Sequence, residues 1–285
     1  MTTPEPDLLC DSSAAELLGR IGSRAGERLG RVRPYGRGGP APTLVAVGHG
    51  SRDPRAAAAL RLLLDRVREL RPGLDARLAH IEIDAPLLTY TLAGLTGDVV
   101  LVPLLFARGH HVTRDLPAAA AAAAPAVHAR VAEPLGPHPL LVEALADRLA
   151  EAGWTAEDSA SPATGVVLAA AGSRHPESAA DIRTLAARLA ERLGGVPVVP
   201  AYASAAAPTV PEAVRALAAR GRHRVAVASC FTAPGLFATR AAVHAPWLAS
   251  APLGPHPALA RLVLHRYDQA RARNRAPRPE LATTR

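Results

Sequence analysis

The strongest constraint on the fold is an internal repeat. The string EPLGPHPLLVEALADRLAEAG at residues 133–153 reappears from residue 251 as APLGPHPALARLVLHRYDQA. Two further pairs of segments match in the same order. Residues 47–57 match 169–179, and the segment around the apolar run at 98–106 matches 225–241. Two tandem copies of one domain account for the 285 residues, because single domains commonly have about 100 to 150 residues.

The first copy begins with the pattern of an α/β unit. A short apolar run at residues 44–47 leads into the glycine-flanked His49, and an alanine- and leucine-rich stretch follows at residues 55–70. This pattern predicts a strand, a tight loop and a helix. Apolar runs at residues 76–83 and 98–106 predict two further strands, the second buried on both faces. The predicted fold class is α/β, with a parallel sheet in the flavodoxin-like strand order 2-1-3-4.

Three polar residues fall where these strands should end. They are His49, Glu82 and His111, and the carboxyl ends of parallel strands meet at one edge of the sheet, where such folds bind ligands. Two imidazoles and a carboxylate could form an open site for a divalent transition metal. Each residue also has a plainer interpretation: a loop histidine can simply hold its own turn together, and Glu82 can be a solvated carboxylate at a strand end.

The motifs around these residues resemble those of the class II chelatases, the sirohydrochlorin chelatase group. The resemblance is carried by LVAVGHGSRDPRA, HIEIDAP and VPLLFARGHHVTRDLP, and it covers nearly all of residues 43–272. It aligns His49 with the histidine of the first motif and Glu82 with an acidic position that is less strict. In the third motif, which ends in a D-L-P run at residues 115–117, the register selects His111 rather than His110 as the metal-binding imidazole.

The resemblance implies two tandem flavodoxin-like chelatase domains, each a short parallel sheet flanked by helices, with a cleft between them. We expect four segments along the chain: a mobile extension at residues 1–40, the domain with the site at 41–155, a homologous domain without the ligands at 163–272, and a basic tail at 273–285.

The second copy has replaced each candidate ligand. Ala171 stands in place of His49, Ser204 in place of Glu82, and Phe237 in place of His111. We therefore expect the second half to bind no metal and to form the opposite wall of the cleft. Its aromatic residues Phe231 and Phe237 would contact the macrocycle there, unless they pack in the core of their own half.

The function implied by the resemblance is insertion of Fe(II) into sirohydrochlorin to give siroheme. Its alternative within the family is a cobaltochelatase that inserts Co(II) for corrinoid (cobalamin) biosynthesis; in both cases the divalent metal is a substrate. The catalytic residues would be His49, His111 and Glu82, with the two histidines as metal ligands. A protein of another class, a non-catalytic carrier of tetrapyrrole or metal, stays possible, although two retained imidazoles favour turnover.

The net charge of +8 calls for an acidic partner. Aromatic residues make up only 3% of the chain and no nucleic-acid-binding module is recognisable, so we expect no nucleic acid. Arginine forks bind carboxylates, and sirohydrochlorin is a polycarboxylate tetrapyrrole. The motif loops contain several arginines that would face the cleft and could bind it, although any one of them can be a solvated surface charge: Arg52, Arg108, Arg114, Arg174 and Arg240.

Several cofactors and locations are disfavoured by the sequence. Neither GxxxxGK[ST] nor GxGxxG occurs, so no nucleotide is expected. The cysteines, Cys10 and Cys230, have no CxxC spacing and indicate neither a disulfide framework nor an iron–sulfur cluster. No uncharged apolar stretch of about 18 residues is present, and the N-terminus lacks a secretory pattern. We expect a cytoplasmic enzyme with no membrane partner, and a monomer because the two halves are fused.

Overall fold

The computed structural model describes residues 41–273. The extension expected at residues 1–40 lies outside the described residues, as does most of the basic tail expected from residue 273. Arg273 itself, with Arg271, belongs to the last helix of the described chain. The Arg273 guanidinium donates to the Glu133 carboxylate at 2.9 Å.

The first half is a parallel sheet with the predicted strand order β2-β1-β3-β4. The helix after β1 begins at Pro54, where Asp53 caps it by accepting the N–H of Arg55 at 3.0 Å. The elements follow in the order β1 (Thr43–Gly48), α1 (Pro54–Leu70), β2 (Ala76–His80), α2 (Leu88–Ala93), β3 (Gly97–Pro103), a π-helical turn (His111–Asp115), α3 (Leu116–Ala122) and β4 (Val127–Val131).

The second half repeats this sheet in the order β6-β5-β7-β8, again all parallel. Its first strand is buried along its whole length, as a strand covered on both faces should be. The elements between the two sheets are α4 (Pro139–Glu151) and α5 (Ala156–Ala160). They are followed by β5 (Thr164–Ala170), α6 (Pro176–Arg192), β6 (Val198–Tyr202), α7 (Val210–Ala218), β7 (Arg224–Ser229), α8 (Leu236–Ala242), β8 (Leu248–Ala249) and α9 (Pro257–Arg273).

The two halves exchange their last helices. Helix α4 follows the first sheet but packs against α6 and β7 of the second half, and α9 follows the second sheet but packs against α1 and β3 of the first. Side chains of α9 bind the first half directly. The Tyr267 hydroxyl donates to the Pro42 carbonyl at 2.7 Å, and Asp268 forms a bidentate pair with Arg71 at 2.6 and 2.7 Å. One hydrophobic cluster consequently contains core residues of both sheets.

None of the helices between residues 41 and 273 combines the length and the apolar character needed to cross a bilayer.

Candidate active site

The three residues that sequence motifs single out lie together at the carboxyl edge of the first sheet. His49 directly follows β1, Glu82 lies two residues beyond β2, and His111 opens the π-helical turn after β3. The ring centroids of His49 and His111 are 4.8 Å apart, with the rings nearly perpendicular. The Nε2 atom of His49 lies 3.3 Å from Oε1 of Glu82. All three side chains are partly exposed, so a ligand can approach them.

A glycine brings the first two loops into contact. A Cβ atom on Gly50 would lie 1.8 Å from the Glu82 carbonyl oxygen, and Gly50 has a φ of +106°. Only glycine permits both the close approach and this backbone conformation. The Glu82 N–H donates to the His49 carbonyl at 3.0 Å, and the Asp84 carboxylate accepts the Ser51 N–H at 3.0 Å. These bonds fix His49 and Glu82 relative to each other.

Asp115 orients the imidazole of His111. Its Oδ2 lies 2.6 Å from Nδ1 of His111, one helical turn away in the sequence. Because an ionised carboxylate only accepts hydrogen bonds, Nδ1 carries the proton and Nε2 of a neutral His111 keeps a free lone pair. The motif resemblance placed Asp115 in the D-L-P run but did not predict that it would orient His111. The i, i+4 spacing of histidine and aspartate was the available signal.

His110 has a different environment from His111. Its side chain is 72% exposed against 34% for His111, and its Nε2 lies 3.5 Å from Asp115. The ring centroids of the two neighbours are 6.3 Å apart. The structure thus packs His111 against His49 and leaves His110 at the surface.

The plainer interpretation of His49, a loop histidine that only holds its own turn together, has weak support. Its Nδ1 lies 3.3 Å from the carbonyl of the adjacent Gly50, at the long end of hydrogen bonding. With Nδ1 directed there, Nε2 is left facing the Glu82 carboxylate. An imidazole lone pair and a carboxylate 3.3 Å apart attract a cation between them, either a proton or a metal ion. Within residues 41–273, however, no group of three or more histidine, cysteine or acidic side chains is arranged to hold a metal ion.

Arg108, one of the arginines expected at the macrocycle, contacts the second half of the chain. Its guanidinium donates to the Asp181 carboxylate of the second half at 2.8 and 3.2 Å, and its backbone N–H donates to the same carboxylate at 3.1 Å. Glu177 approaches it to 3.4 Å, and Asp181 is 4% exposed. Arg108 therefore ties the third loop of the first half to the second half, and its side chain is 44% exposed, so its role toward the macrocycle stays a prediction.

The other arginines of the motif loops are exposed, and none forms an ion pair with another residue between 41 and 273. They are Arg52, Arg114, Arg174 and Arg240. Their guanidinium groups are accessible to a polycarboxylate.

The second sheet has the same loop geometry without the donor atoms. A Cβ atom on Gly172 would lie 1.9 Å from the Ser204 carbonyl, and the Ser204 N–H donates to the Ala171 carbonyl at 3.0 Å. These contacts repeat those of Gly50, Glu82 and His49. Phe237 occupies the position of His111 and is 38% exposed, whereas Phe231 packs against the core of its own half.

The carboxyl edges of the two sheets face each other. Besides the Arg108 contacts, the hydroxyl of Thr232 donates to the Leu104 carbonyl at 3.1 Å. A Cβ atom on Gly109 would lie 3.5 Å from Oγ of Ser173, and one on Gly235 would lie 3.3 Å from Oγ of Ser51. The first loop of each half therefore contacts the third loop of the other half.

The comparisons with known proteins agree with this architecture. The CbiX family model matches the chain twice, over residues 43–152 and 165–270. No curated protein matches the chain. SirB from Bacillus subtilis with Fe3+ is 22% identical, with a TM-score of 0.65 over 81% of this chain and 96% of that one.

Two further solved structures are similar in fold. The sirohydrochlorin chelatase SirB from Bacillus subtilis subspecies spizizenii, in complex with cobalt, is 19% identical, with a TM-score of 0.62 over 80% of this chain and 94% of that one. CbiX, described as the terminal enzyme for biosynthesis of siroheme in denitrifying bacteria, is 23% identical, with a TM-score of 0.61 over 80% of this chain and 99% of that one. With the family model matching both repeats, the chain belongs to the CbiX family of class II chelatases and contains two tandem chelatase halves.

Proposed function

We propose that this protein inserts Fe(II) into sirohydrochlorin and thereby forms siroheme. The observation that carries the proposal is the pairing of two imidazoles, His49 and His111, with the Glu82 carboxylate at a partly exposed sheet edge of the first half. Family membership and the description of one similar structure as the terminal enzyme of siroheme biosynthesis support the choice of macrocycle and metal.

The donor set suits this chemistry. The reaction exchanges a divalent ion for the two pyrrole N–H protons of the macrocycle, so the ion must be held by few ligands and then released. Neutral imidazoles bind such ions reversibly, whereas a closed thiolate site would retain them. The Nε2 lone pair of His111, oriented by Asp115, and Nε2 of His49 are the proposed metal ligands. Glu82 attracts the cation or accepts a pyrrole proton.

The second half is proposed to hold the macrocycle against this edge. Its exposed Phe237 offers an aromatic contact, and Arg174 and Arg240 offer guanidinium groups for the macrocycle's carboxylates. On the first half, Arg52 and Arg114 would do the same. The cleft expected from the sequence would lie between these facing loops.

Cobalt insertion is the second candidate, favoured by the similar SirB structure that contains cobalt. Imidazole and carboxylate ligands accept both Fe(II) and Co(II), and selectivity between such ions often depends on supply. The donor atoms are therefore compatible with both reactions.

Anaerobic absorbance spectroscopy of the purified protein with sirohydrochlorin and one metal at a time tests the proposal. We expect metallation with Fe(II) at a rate well above the protein-free control. Catalysis with Co(II) alone would favour the cobaltochelatase. Tight macrocycle binding without faster metallation by any metal would overturn both and identify a carrier.

A further inference from the structure

Ile83 occupies a strained position beside the proposed metal ligands. It is the central residue of a tight turn in which the Asp84 N–H donates to the Glu82 carbonyl at 2.7 Å, and its φ is +68°. A γ-turn with a positive φ at its centre is rare and strained, and β-branched residues are poorly suited to that conformation. The Glu82 N–H donates to the His49 carbonyl and the Ser51 N–H donates to the Asp84 carboxylate, and these two bonds hold the turn on both sides.

The fold does not require a large side chain at this position. The equivalent turn of the second half has Ala205 at its centre with a φ of +56°, and the Ala206 N–H donates to the Ser204 carbonyl at 2.7 Å. Ile83 is 55% exposed and lies outside the hydrophobic clusters formed by the described residues. Its side chain therefore adds conformational strain without gaining stability from burial in the folded chain.

We propose that Ile83 is a further substrate-binding residue whose side chain packs against the apolar ring system of the tetrapyrrole. This inference rests on the proposed function. Residues held in sparsely populated backbone conformations cluster at functional sites, where the local strain serves binding or catalysis. Ile83 adjoins Glu82, which lies 3.3 Å from His49. A macrocycle placed over these donors is within reach of an apolar side chain one residue away.

The second half offers apolar surface at the corresponding edge. Leu236 and Phe237, which occupy the positions of His110 and His111, are 61% and 38% exposed. The first half has imidazoles at those two positions and a large apolar side chain at 83. The second half has apolar side chains at the two positions and the small Ala205 at the turn. Both halves thus present exposed apolar surface to a flat ligand between them, and Ile83 is the contribution of the half that binds metal.

The test is the substitution Ile83→Ala, assayed for macrocycle binding and for turnover. Loss of the apolar contact should raise the Kd and the KM for sirohydrochlorin about tenfold. The kcat should change by less than about twofold, because the contact is made equally in the ground and transition states. Metal affinity without macrocycle should be unchanged, since Ile83 offers no donor atom.

Three matched variants separate binding from structure. Ile83→Leu keeps an apolar side chain without the branch at Cβ, so it should retain wild-type KM. Ile83→Gly should lose binding as Ile83→Ala does while its Tm stays equal or rises, because glycine adopts positive φ without strain. Ala205→Gly makes the same backbone change in the second half and should leave KM unchanged.

The outcomes distinguish this inference from the proposed function. Wild-type Kd and KM in Ile83→Ala, in a protein that metallates sirohydrochlorin normally, would overturn the role of Ile83 and leave the function intact. A large drop in Tm for Ile83→Gly would show that the side chain stabilises the fold and would overturn the inference as well. Failure of the wild-type chain to bind sirohydrochlorin would overturn the proposed function itself.

Discussion

At the scale of single residues, the proposed site depends on two imidazoles supplied by loops rather than by the hydrophobic cores. His49 and His111 are both partly exposed, and neither belongs to a hydrophobic cluster of the described residues. Replacing either side chain should consequently affect chemistry more than folding.

We predict that His49→Ala and His111→Ala each lower the rate of chelation about 100-fold or more, since each removes a proposed metal ligand or proton carrier. Initial rates of macrocycle metallation measure the effect, and circular dichroism checks the fold. His110→Ala is the matched control and should retain most of the activity, because the His110 side chain is 72% exposed and its ring lies farther from the His111 ring than the His49 ring does. Near wild-type rates in His49→Ala would contradict the mechanism, and a severe loss confined to His110→Ala would show that the neighbouring imidazole is the ligand.

A second prediction concerns Asp115, which lies 2.6 Å from Nδ1 of His111. Asp115→Asn should weaken metal binding about 10- to 100-fold. Without the carboxylate, neither the tautomer nor the ring orientation of His111, the proposed ligand, is fixed. Isothermal titration with Co(II) in the absence of macrocycle measures this affinity. The control Asp98→Asn removes a carboxylate whose partner is Arg130 on the surface of the same sheet. Equal affinities for the two variants would remove Asp115 from the site.

At the scale of secondary-structure elements, two equivalent helices start with the same cap. His138 precedes α4 and accepts the Leu140 N–H on Nδ1 at 3.1 Å, and His256 precedes α9 and accepts the Ala258 N–H at 3.2 Å. An accepting Nδ1 requires the neutral imidazole. Burial lowers the pKa of both groups, and with nearby Arg266 it lowers the pKa of His138 to about 4, below the ordinary value of 6.5.

These caps predict a loss of stability in mild acid. Between pH 6.5 and pH 4 the unfolded chain binds a proton at residue 138 that the folded chain does not, so the free energy of unfolding falls as the pH falls through this window. From pH 7 to pH 5, His138 should account for about 1 to 2 kcal/mol after screening. Urea unfolding of His138→Asn, which keeps a capping oxygen but does not titrate, should show a correspondingly smaller pH dependence. An unchanged dependence would argue against the cap.

The contact of Arg108 with Asp181 gives another prediction at this scale. It anchors the loop that leads into His111 to helix α6 of the second half. Asp181→Asn should lower Tm and weaken metal binding by about three- to tenfold, since the buried carboxylate that accepts from the half-exposed Arg108 is lost and the loop loses its anchor. Glu177→Gln is the control, because its contact is exposed and such pairs contribute little. Wild-type metal affinity in Asp181→Asn would limit the pair to a structural role.

The sequence predicted the local elements and missed those contacts that join distant segments. The apolar runs at residues 44–47, 76–83 and 98–106 each contain a strand, although β2 ends at His80 and β3 at Pro103, short of the predicted ends. The strand order follows from the α/β pattern. Arg108 and Asp181 are 73 positions apart, and nothing in either segment specifies the other as its partner. The apolar residues of α9 likewise indicate a buried helix, without showing which sheet covers it.

At the scale of the whole molecule, the exchanged helices join the two repeats into one folding unit. Helix α9 packs against α1 and β3, and Tyr267 is fully buried with its hydroxyl on Pro42. A chain of residues 41–155 therefore lacks the helix that covers its own sheet.

We predict that residues 41–155 expressed alone do not form an active monomer, because large apolar areas of α1 and β3 stay exposed. Addition of residues 156–273 as a separate chain should restore structure and activity, and the reconstituted pair should bind one metal ion. Size-exclusion chromatography, activity assays and metal titration measure these properties. An active monomer of 41–155, or two equivalent metal sites in the full chain, would contradict this division of roles.

The replacement of the donors by Ala171, Ser204 and Phe237 has a stereochemical consequence. A symmetric pair of identical halves would present the same groups above and below a bound ring, and metal could enter from either side. In this chain the paired imidazoles of His49 and His111 lie on the first half, and the equivalent positions of the second half have no imidazole or carboxylate. Sirohydrochlorin is chiral and its two faces differ. Under the proposed function, the chain would deliver the ion through one defined face while the other face rests against the second half.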